Sequence, residues 1–276
     1  MAHSVSEAAE QILDKEFKVL DKGFVRLVDY MGSDDRIVQS ARVSYGDGTK
    51  SYRADAALID YLLRNKHTSP FEQVILTFHV KLPIFVARQW IRHRTARLNE
   101  ISGRYSVMKD DFYVPELQDI SVQSTDNKQG RGDALDTQDA ENVQNAMSEA
   151  QKIAYDSYLE LVDKDIAREL ARINLPLSLY TEWYWQIDLH NLFHFIELRL
   201  HSHAQKEIRD YAEVLLNIAK AVAPLASESF ERHVQNSVTF SNAEMQELKR
   251  RLAGESAPDE QELSGKVLER FEEKLR

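Results

Sequence analysis

The clearest pattern in the first part of the chain is a strict alternation of apolar and polar positions over residues 74–82. This alternation predicts a half-buried strand. Its buried face would be formed by Leu76, Phe78, Val80 and Leu82. Proline is tolerated in the first turn of a helix, so Pro83 predicts a helix over residues 84–90. Residues 23–30 favour a short strand, and residues 34–44 have the spacing of a helix.

Longer helices are predicted in the second half of the chain. An amphipathic helix is indicated by apolar residues three and four positions apart, namely Met147, Ala150, Ala154, Tyr158 and Leu161. A further helix is expected from about Leu189 to Ala219. Its buried stripe consists of Leu189, Leu192, Phe193, Ile196 and Leu200. A neighbouring polar stripe consists of His190, His194, Glu197 and His201.

Residues 119–142 have a different composition. They contain Gly130-Arg131-Gly132 and almost no large apolar residue. A segment of this kind has too little apolar surface to bury by itself. The pattern therefore predicts a polar, mobile insertion.

The C-terminal part has the pattern of two further helices. Ser241-x-x-Glu244 is typical of a capping box at a helix start, and Gly254 of a helix end. A second apolar stripe consists of Leu263, Val267, Leu268, Phe271 and Leu275. These positions favour a helical hairpin packed on the parent domain over a partner-binding role.

The overall composition is that of one large domain, or two at most. The chain has 276 residues, of which 43% are hydrophobic, so it can bury a sizeable core. No apolar run approaches the roughly 18 residues that a membrane span requires. The N-terminus lacks the basic and apolar regions of a secretory signal. We therefore expect a cytoplasmic protein without membrane contact.

Positive charge is concentrated in one short segment of an acidic chain. Between Arg88 and Arg104 only one acid, Glu100, accompanies His93 and five arginines, whereas the formal net charge of the chain is -10. The arginines are Arg88, Arg92, Arg94, Arg97 and Arg104. The planar donor fork of arginine matches phosphate oxygens, so an anionic ligand is predicted. A solvated helix face is the alternative. The sequence pI of about 5.4 opposes a broad nucleic-acid-binding surface.

The order of residues in this segment resembles a known signature. Arg92-His-Arg is followed after seven residues by Ser102 and then by Gly-Arg-Tyr, which is similar to the signature of the flavin-dependent thymidylate synthases. Further segments that resemble this family are residues 67–72, 81–89, 175–181 and 198–205. The resemblance covers roughly residues 18–234 in the same order.

The resemblance implies an α+β architecture. The expected fold is a family-specific mixed fold in which long helices flank a central sheet. It is not a Rossmann fold, and no G-x-G-x-x-G follows a predicted strand. The expected family domain spans residues 18–235, between an N-terminal helical extension (1–17) and a C-terminal helical extension (236–276). The resemblance also implies a homotetramer whose subunits share flavin and active sites.

The implied reaction is the methylation of dUMP to dTMP. The implied carbon donor is 5,10-methylenetetrahydrofolate, and the hydride donor is FAD reduced by NADPH. The absence of cysteine agrees with this chemistry. The classical route of thymidylate synthesis adds a cysteine thiolate to carbon 6 of uracil, and a chain without cysteine cannot use this route.

Individual residue roles follow only from the resemblance. The positions implied to bind dUMP are Gln89, Trp90, Arg92, Glu100, Ser102, Gly103, Arg104, Arg172 and Arg199. Arg172 is expected to reach the phosphate from another subunit. Arg199 is expected to act in catalysis by stabilising ionisation at N3 of uracil. Ser102, the second expected catalytic residue, is predicted to position or polarise the ring, because a serine without a base is a poor nucleophile.

A second set of positions is implied to bind FAD. These are Ser69, Arg92, His93, Arg94, Glu100, Asp188, His190 and His194, with Ser44, Asn99 and His203 as further matches. Arg97, Asp188, His190 and His194 depart from residues that are usual at these positions. His67 matches a position beside the flavin.

Two alternatives remain open from the residues alone. Arg199 lies in an apolar stretch and could form a core ion pair with Glu197 or Glu207. Four histidines close in sequence could instead hold a metal, as in a metal-dependent nucleotide hydrolase. They are His190, His194, His201 and His203. No H-E-x-x-H pair is present, and we expect no metal in the site.

Overall fold

The computed structural model describes residues 5–43, 52–125, 130–255 and 263–276. They belong to two compact units, Met1–Phe230 and Glu231–Arg276. Within the described ranges, no helix is both long enough and apolar enough to cross a membrane.

An antiparallel sheet forms the centre of the larger unit. The described strands are β1 (Glu16–Val19), β2 (Gly23–Met31), β3 (Ile75–Pro83), β4 (Arg97–Glu100), β5 (Ser121–Gln123), β6 (Arg131–Ala134) and β7 (Tyr180–Asp188). The sheet order is β1-β2-β3-β7-β4, and β5 and β6 form a separate hairpin. Every described strand pair is antiparallel. The predicted α+β class is confirmed, because a Rossmann fold requires parallel strands.

Helices cover one face of this sheet. The described helices of the larger unit are α1 (Glu7–Glu10), α2 (Asp34–Arg42), α3 (Tyr52–Arg64), α4 (Ile84–Trp90), α5 (Thr137–Asp163), α6 (Arg168–Ala171), α7 (Leu189–Leu200), α8 (Lys206–Val222) and α9 (Pro224–Phe230). Of these, α4, α7 and α8 contact the sheet strands. The alternation predicted over residues 74–82 is confirmed, since its four apolar side chains are fully buried in β3.

The indole of Trp90 lies at the centre of an aromatic cluster at the end of α4. Its ring centroid is 4.7 Å from that of Phe195 and 5.1 Å from that of Trp185. The rings of Trp183 and Tyr211 lie at 5.7 and 5.9 Å. Such contacts add about 0.5–1.5 kcal/mol per pair to the effect of burial. The cluster fixes the point from which the Arg92-His-Arg segment leaves the core.

Gly23, the first residue of β2, lies in a very close contact. A Cβ atom at this position would overlap the Tyr211 hydroxyl oxygen and would lie 2.7 Å from the carbonyl oxygen of Val19. The Tyr211 hydroxyl donates a hydrogen bond of 2.7 Å to the carbonyl oxygen of Lys81. Only glycine therefore allows α8 to attach to β3 at this point.

The long helix predicted from Leu189 to Ala219 is wrong, because the chain forms two helices. The first, α7, ends at Leu200, and α8 begins at Lys206. His201 has an extended backbone with φ -57° and ψ 139°. The connecting residues contain neither Gly nor Pro, so the usual helix-breaking signals were absent from the sequence. The break places Arg199 in the last turn of α7.

Two segments without a predicted element contain regular structure. Part of the signature, which follows the helix predicted over residues 84–90, forms β4 and pairs with β7. The predicted insertion over residues 119–142 contributes β5, β6 and the beginning of α5. In both segments the strands are short and their side chains exposed, so they lack the apolar alternation that identifies a strand.

The buried carboxylate of Asp34 joins α2 to the start of α9. Its oxygens accept hydrogen bonds from the backbone N–H groups of Leu225 (2.8 Å) and Ala226 (3.0 Å). Burial raises the pKa of Asp34 to about 6, although these two hydrogen bonds oppose the increase. The folded state therefore holds this proton more tightly than the unfolded chain.

We expect Asp34 to make stability depend on pH in an unusual direction. Its contribution is fully present below the ordinary pKa of 3.8 and is lost as pH rises through about 6. The free energy of unfolding should fall by up to roughly 3 kcal/mol over this window. Urea unfolding of wild type and Asp34→Asn at several pH values checks this. The difference should vary strongly with pH, whereas Asp35→Asn, at the exposed neighbouring position, should give a much smaller variation, because its charge is the smallest of the causes that act on the pKa of Asp34.

The described residues of the smaller unit include a π-helical turn (Glu231–Gln235) and two α-helices. The α-helices are α10 (Asn242–Leu252) and α11 (Gly265–Lys274). The predicted capping box is confirmed, because Ser241 and Glu244 exchange both of its hydrogen bonds. Gly254 follows α10 with φ +71°, which confirms the predicted helix end. The Lys274 ammonium of α11 pairs with the Glu244 carboxylate at 2.6 Å. Packing of this hairpin on the larger unit stays a prediction.

Candidate active site

A polar cavity lies where β7 ends and α7 begins. We call it the helix-end cavity. It has a volume of about 320 Å³ and is lined by Arg92, His93, Arg94, Thr95, Ile187, Asn191, His194, Leu198 and Arg199. This volume lies at the lower end of the roughly 300–1,000 Å³ that is typical of ligand pockets. The Arg-His-Arg segment of the signature thus faces α7, and the rings of His93 and His194 are 5.7 Å apart.

The guanidinium of Arg199 is half-buried in this cavity. Its Nη2 donates a hydrogen bond of 3.1 Å to the carbonyl oxygen of Gln89. Its Nε is shielded from solvent and has no hydrogen-bond partner among the described residues. Burial lowers the pKa of Arg199 below its ordinary value. A desolvated positive charge of this kind favours an anionic ligand.

The alternative of a core ion pair for Arg199 is wrong. Glu197 faces the His194 ring instead, at 3.7 Å. Glu207 pairs with Arg131 of the β5–β6 hairpin. Within the described residues, Arg199 therefore makes no ion pair with either predicted carboxylate.

His93 contributes a neutral ring to the same cavity. Burial lowers the pKa of His93 to about 4, assisted by the nearby charges of Arg199 and His194. The imidazole is therefore uncharged at neutral pH. Its Nε2 is shielded from solvent and has no hydrogen-bond partner among the described residues. This atom can bind a ligand group, while the positive charge of the cavity comes from the arginines.

A second cavity lies at the opposite end of β7, and we call it the strand-start cavity. It has a volume of about 290 Å³ and is lined by Ile84, Glu100, Ile101, Gly103, Met108, Glu169, Arg172, Ile173, Leu175, Leu179 and Thr181. The Glu100 carboxylate accepts a hydrogen bond of 2.6 Å from the Thr181 hydroxyl. A Cβ atom at Gly103 would lie 2.9 Å from the Met108 sulfur and 3.2 Å from Cδ of Arg172. Glycine therefore lets the signature pass close to Arg172.

The two cavities are far apart along β7. Thr181 lines the strand-start cavity and Ile187 lines the helix-end cavity. Six residues of antiparallel strand at about 3.4 Å each span about 20 Å. The residues predicted to bind dUMP are divided between the two cavities. Arg92 and Arg199 line one, whereas Glu100, Gly103 and Arg172 line the other.

Comparisons with known proteins agree over nearly the whole chain. Residues 26–225 match the family model described as Thymidylate synthase complementing protein, and residues 238–276 match that of the Thymidylate synthase ThyX C-terminal domain. A flavin-dependent thymidylate synthase of Treponema denticola is 68% identical over 96% of this chain and 98% of its own length. That of Treponema pallidum is 62% identical over 100% of this chain and 90% of its own length. The chain belongs to the flavin-dependent thymidylate synthases.

A solved structure supports the fold of this flavin-dependent thymidylate synthase. The crystal structure of a UMP/dUMP methylase, PolB from Streptomyces cacaoi bound with 5-Br dUMP, matches with a TM-score of 0.73. The two sequences are 33% identical, and the match covers 80% of this chain and 100% of that chain. The predicted family, fold class and enzyme activity are confirmed. The C-terminal helices, predicted as an extension, correspond to a family domain of their own.

The lining of the helix-end cavity is chemically suited to part of the FAD that a flavin-dependent thymidylate synthase uses. Three arginines line it, which suits an anionic dinucleotide. The shielded Nε of Arg199 and Nε2 of His93 have no partner among the described residues. Buried polar atoms are normally hydrogen-bonded, so these two atoms indicate a polar ligand.

The other predicted flavin positions have varied environments. The Asp188 carboxylate caps α7 by accepting hydrogen bonds from the backbone and side chain of Asn191, at 2.8–3.0 Å. His190 follows in the first turn of α7, and His194 lines the helix-end cavity.

The remaining predicted flavin positions lie outside α7. Ser69 is exposed near the start of β3, which pairs with the end of β7. Asn99 lies on β4, and His203 in the turn after α7. Ser44 lies outside the described residues.

Trp90 is the predicted dUMP-binding residue that differs most from expectation. Its indole is fully buried, so a nucleotide cannot contact this ring. Trp90 instead anchors the residues that follow it. The neighbouring Gln89 is better placed to contact a nucleotide than Trp90 is. In the structure, its amide Nε2 donates a hydrogen bond of 2.5 Å to Oε1 of Gln205.

The histidine cluster of the alternative metal-site hypothesis is divided in this thymidylate synthase. The rings of His201 and His203 lie 4.9 Å apart, whereas His194 faces His93. Among the described residues, no three His, Cys, Asp or Glu side chains converge in the manner of a metal site. The donor geometry therefore gives the hydrolase hypothesis no support.

Supporting residues were missed from the sequence. Glu169 pairs with Arg104 at 3.2 Å between Oε2 and Nε. The Asn191 side-chain amide donates a hydrogen bond to the Asp188 carboxylate, and Oε1 of Gln205 accepts one from Nε2 of Gln89. Asn191 had a usable signal, because it lies three residues after Asp188, which is the spacing of a helix N-cap. The other two contacts join positions distant in sequence and leave no local pattern.

Proposed function

We propose that this chain converts dUMP to dTMP with 5,10-methylenetetrahydrofolate as carbon donor, NADPH as reductant and active sites shared within a homotetramer. When bound, reduced FAD supplies the hydride. The observation that carries the proposal is the half-buried guanidinium of Arg199, which has no carboxylate partner among the described residues. Such a group stabilises an anion that forms during a reaction.

Arg199 has the properties needed to stabilise uracil ionised at N3. The Gln89 carbonyl oxygen fixes the direction of its guanidinium. Its Nε remains available to donate a further hydrogen bond. Since the nearby His93 is neutral at pH 7, the field at the ring depends on arginines that do not titrate. Ionisation at N3 raises the electron density at carbon 5, where the new bond forms.

The proposed phosphate contacts come from arginines near the signature. Arg172 lines the strand-start cavity, where the backbone at Gly103 passes close to the Arg172 side chain. Arg104 is exposed and pairs with Glu169, so its charge is partly balanced before substrate binds. Arginine forks bind phosphate oxygens in pairs, so these groups orient the nucleotide and lower the entropic barrier of the transfer.

Ser102 is proposed to position the pyrimidine ring without attacking it. Its hydroxyl oxygen accepts a hydrogen bond of 3.3 Å from the backbone N–H of Arg104. No base within the described residues is hydrogen-bonded to this hydroxyl, so its nucleophilicity is that of an ordinary alcohol.

We expect Ser102→Ala to reduce kcat by roughly 10- to 100-fold, the effect of losing one positioned hydrogen bond. Single-turnover measurement of dTMP formation checks this, with Ser106→Ala in the following turn as the control. Complete loss of turnover, together with a serine–nucleotide adduct in the mass spectrum of wild type, would show a covalent role instead.

The separation of the two cavities supports the proposal that active sites are shared between chains. In one chain, the strand positions that mark the cavities of Arg199 and Arg172 are about 20 Å apart along β7, which favours binding of one nucleotide by Arg199 of one chain and Arg172 of another. If each site takes its helix-end cavity from one chain and its strand-start cavity from another, Arg92 and Arg199 come together with Glu100, Gly103 and Arg172. Symmetric assembly would then produce equivalent sites.

Mixing two inactive variants tests the shared site. Arg199→Ala and Arg172→Ala should each be inactive alone. Random mixed tetramers should regain activity, because about a quarter of the sites would have both arginines intact. Two Arg199→Ala chains with different affinity tags provide the matched control and should stay inactive. A mixture of the two variants that also stays inactive, despite verified mixed assembly, would contradict a site divided between chains.

The complete reaction is tested by an anaerobic assay of the purified protein. We expect a flavin absorption spectrum that bleaches with NADPH, and dTMP formation only when dUMP and methylenetetrahydrofolate are both present. A protein that neither takes up FAD nor forms dTMP would overturn the proposal.

A further inference from the structure

Gln89, a predicted dUMP-binding residue, is held through both its side chain and its backbone. Its amide Nε2 donates a hydrogen bond of 2.5 Å to Oε1 of Gln205. Its main-chain carbonyl oxygen accepts the hydrogen bond from Arg199. Both parts of Gln89 therefore have a defined direction before a nucleotide binds.

The amide of Gln205 is bound in turn to a buried carboxylate. The Gln205 side chain donates a hydrogen bond to Glu207, which is 1% exposed. The same carboxylate accepts hydrogen bonds from the Tyr113 hydroxyl (3.0 Å) and from the Arg131 guanidinium. Burial acts to raise the pKa of Glu207, but the hydrogen bonds that it accepts, that of Arg131 above all, lower its pKa overall. Glu207 is therefore ionised at neutral pH and can only accept hydrogen bonds.

This carboxylate sets the direction of two amides. A glutamine amide has a donor end and an acceptor end. The end of Gln205 that faces Glu207 must be the donor, Nε2, because two facing acceptors repel each other. Oε1 of Gln205 is then directed to Gln89, which must face it with its own donor end. We call Glu207, Gln205 and Gln89 the amide relay.

Oε1 of Gln89 is the free end of the amide relay. It makes no hydrogen bond to a described residue, and it is not among the side-chain atoms shielded from solvent. A polar atom whose direction is fixed in advance binds a ligand with a smaller loss of conformational entropy. The relay thus offers the ligand a preorganised acceptor.

We propose that Gln205 is a positioning residue for dUMP, which holds the Gln89 amide so that Oε1 of Gln89 accepts a hydrogen bond from the nucleotide. This inference rests on the proposed function, in which Gln89 binds dUMP. The nucleotide has donors of the required kind, namely the N3–H group of uracil and the hydroxyl group of deoxyribose. Gln205 itself acts only through Gln89.

Gln205→Met tests the inference, because methionine has a similar length but lacks both hydrogen-bonding ends. The Gln205 side chain does not cap α8, so this variant should fold. Calorimetric titration of the FAD-loaded protein should show dUMP binding weakened roughly tenfold, the effect of one lost hydrogen bond. KM for dUMP should rise in parallel, with kcat within about threefold of wild type. The control is Gln118→Met at an exposed position, which should match wild type. Unchanged dUMP affinity in Gln205→Met would overturn the proposal.

A swapped pair tests the direction of the amide relay. Gln205→Glu alone places two carboxylates side by side and should also weaken dUMP binding. Adding Glu207→Gln moves the charge to position 205 and keeps the direction of every hydrogen bond in the relay, because the new carboxylate only accepts. The double variant should therefore bind dUMP within about threefold of wild type. A folded double variant that binds no better than Gln205→Glu would contradict the relay.

A double-mutant cycle tests whether Gln205 acts through Gln89. In a Gln89→Met background, Gln205→Met should weaken dUMP binding by less than about twofold. A full tenfold loss in that background would show another route of action and contradict the inference. Wild type that binds no dUMP would contradict the proposed function as well, whereas wild-type binding that Gln205→Met leaves unchanged contradicts this inference alone.

Discussion

Replacement of Arg199 by alanine is expected to reduce dTMP formation by at least about 10³-fold while FAD stays largely bound. The guanidinium is the half-buried positive group of the helix-end cavity that no described carboxylate balances. Its loss removes stabilisation from the ionised uracil. Arg92 and Arg94, which line the same cavity, remain to hold the cofactor. The measurements are kcat for dTMP formation and the flavin absorbance of the gel-filtered protein.

Arg199→Lys is the matched control for this prediction. Lysine keeps the charge but lacks the planar fork that bonds the Gln89 carbonyl and a ligand at the same time. We expect an intermediate rate, roughly 10- to 100-fold below wild type. Rapid dTMP formation by Arg199→Ala would contradict the catalytic role. Loss of flavin from this variant would instead indicate a role in cofactor binding.

The second large effect concerns stability. We expect Gly23→Ala to lower the free energy of unfolding by about 3–5 kcal/mol. The added methyl group would overlap the Tyr211 hydroxyl, so the ring must move and its bond to the Lys81 carbonyl must break. Tyr211 is fully buried and has little space into which to move. Urea unfolding monitored by circular dichroism measures the loss.

A double-mutant cycle separates the parts of this effect. Tyr211→Phe removes the atom nearest to the new methyl group, so Gly23→Ala should be less destabilising when it is combined with Tyr211→Phe. The rescue should be partial, because the Val19 carbonyl oxygen remains at 2.7 Å. Gly132→Ala is the control, since its Cβ would meet nothing closer than 3.2 Å. An equal loss with and without the tyrosine hydroxyl would show that the hydroxyl contact is not the cause.

The sequence predicts those elements whose burial is regular. The alternation in β3 is visible because one face of the strand is buried at a fixed period. The apolar spacing also predicts the helix α5, although Tyr158 is the one buried residue of the predicted stripe and Met147 is 44% exposed. The capping box at Ser241 is equally local. By contrast, β4 has four exposed residues and is held by pairing with β7, so its strand structure depends on a distant segment. The break between α7 and α8 was also missed, because no Gly or Pro in the connecting residues marks it in the sequence.

The candidate site shows a similar limit. The arginine-rich signature predicts an anionic ligand from its own residues, and the arginines of the helix-end cavity agree with this. The sequence could not show that Arg199 lacks a carboxylate partner. Glu207, one of its two expected partners, forms an ion pair with Arg131 instead, and Arg131 lies in a segment that was predicted as a mobile insertion. Nor could it show that Arg172 and Arg199 lie at opposite ends of one strand. Such facts depend on the path of the chain in space.

The contact that orients Arg199 has a consequence for how the enzyme tolerates genetic change. The acceptor is the main-chain carbonyl oxygen at position 89, and every amino acid carries this group. A substitution at position 89 can alter the side chain, but it cannot delete this hydrogen bond. Mutations that shift the end of α4, such as those that loosen the packing of Trp90, can disturb it. The orientation of Arg199 is thus robust to drift at the residue it contacts and sensitive to drift in the aromatic core behind it.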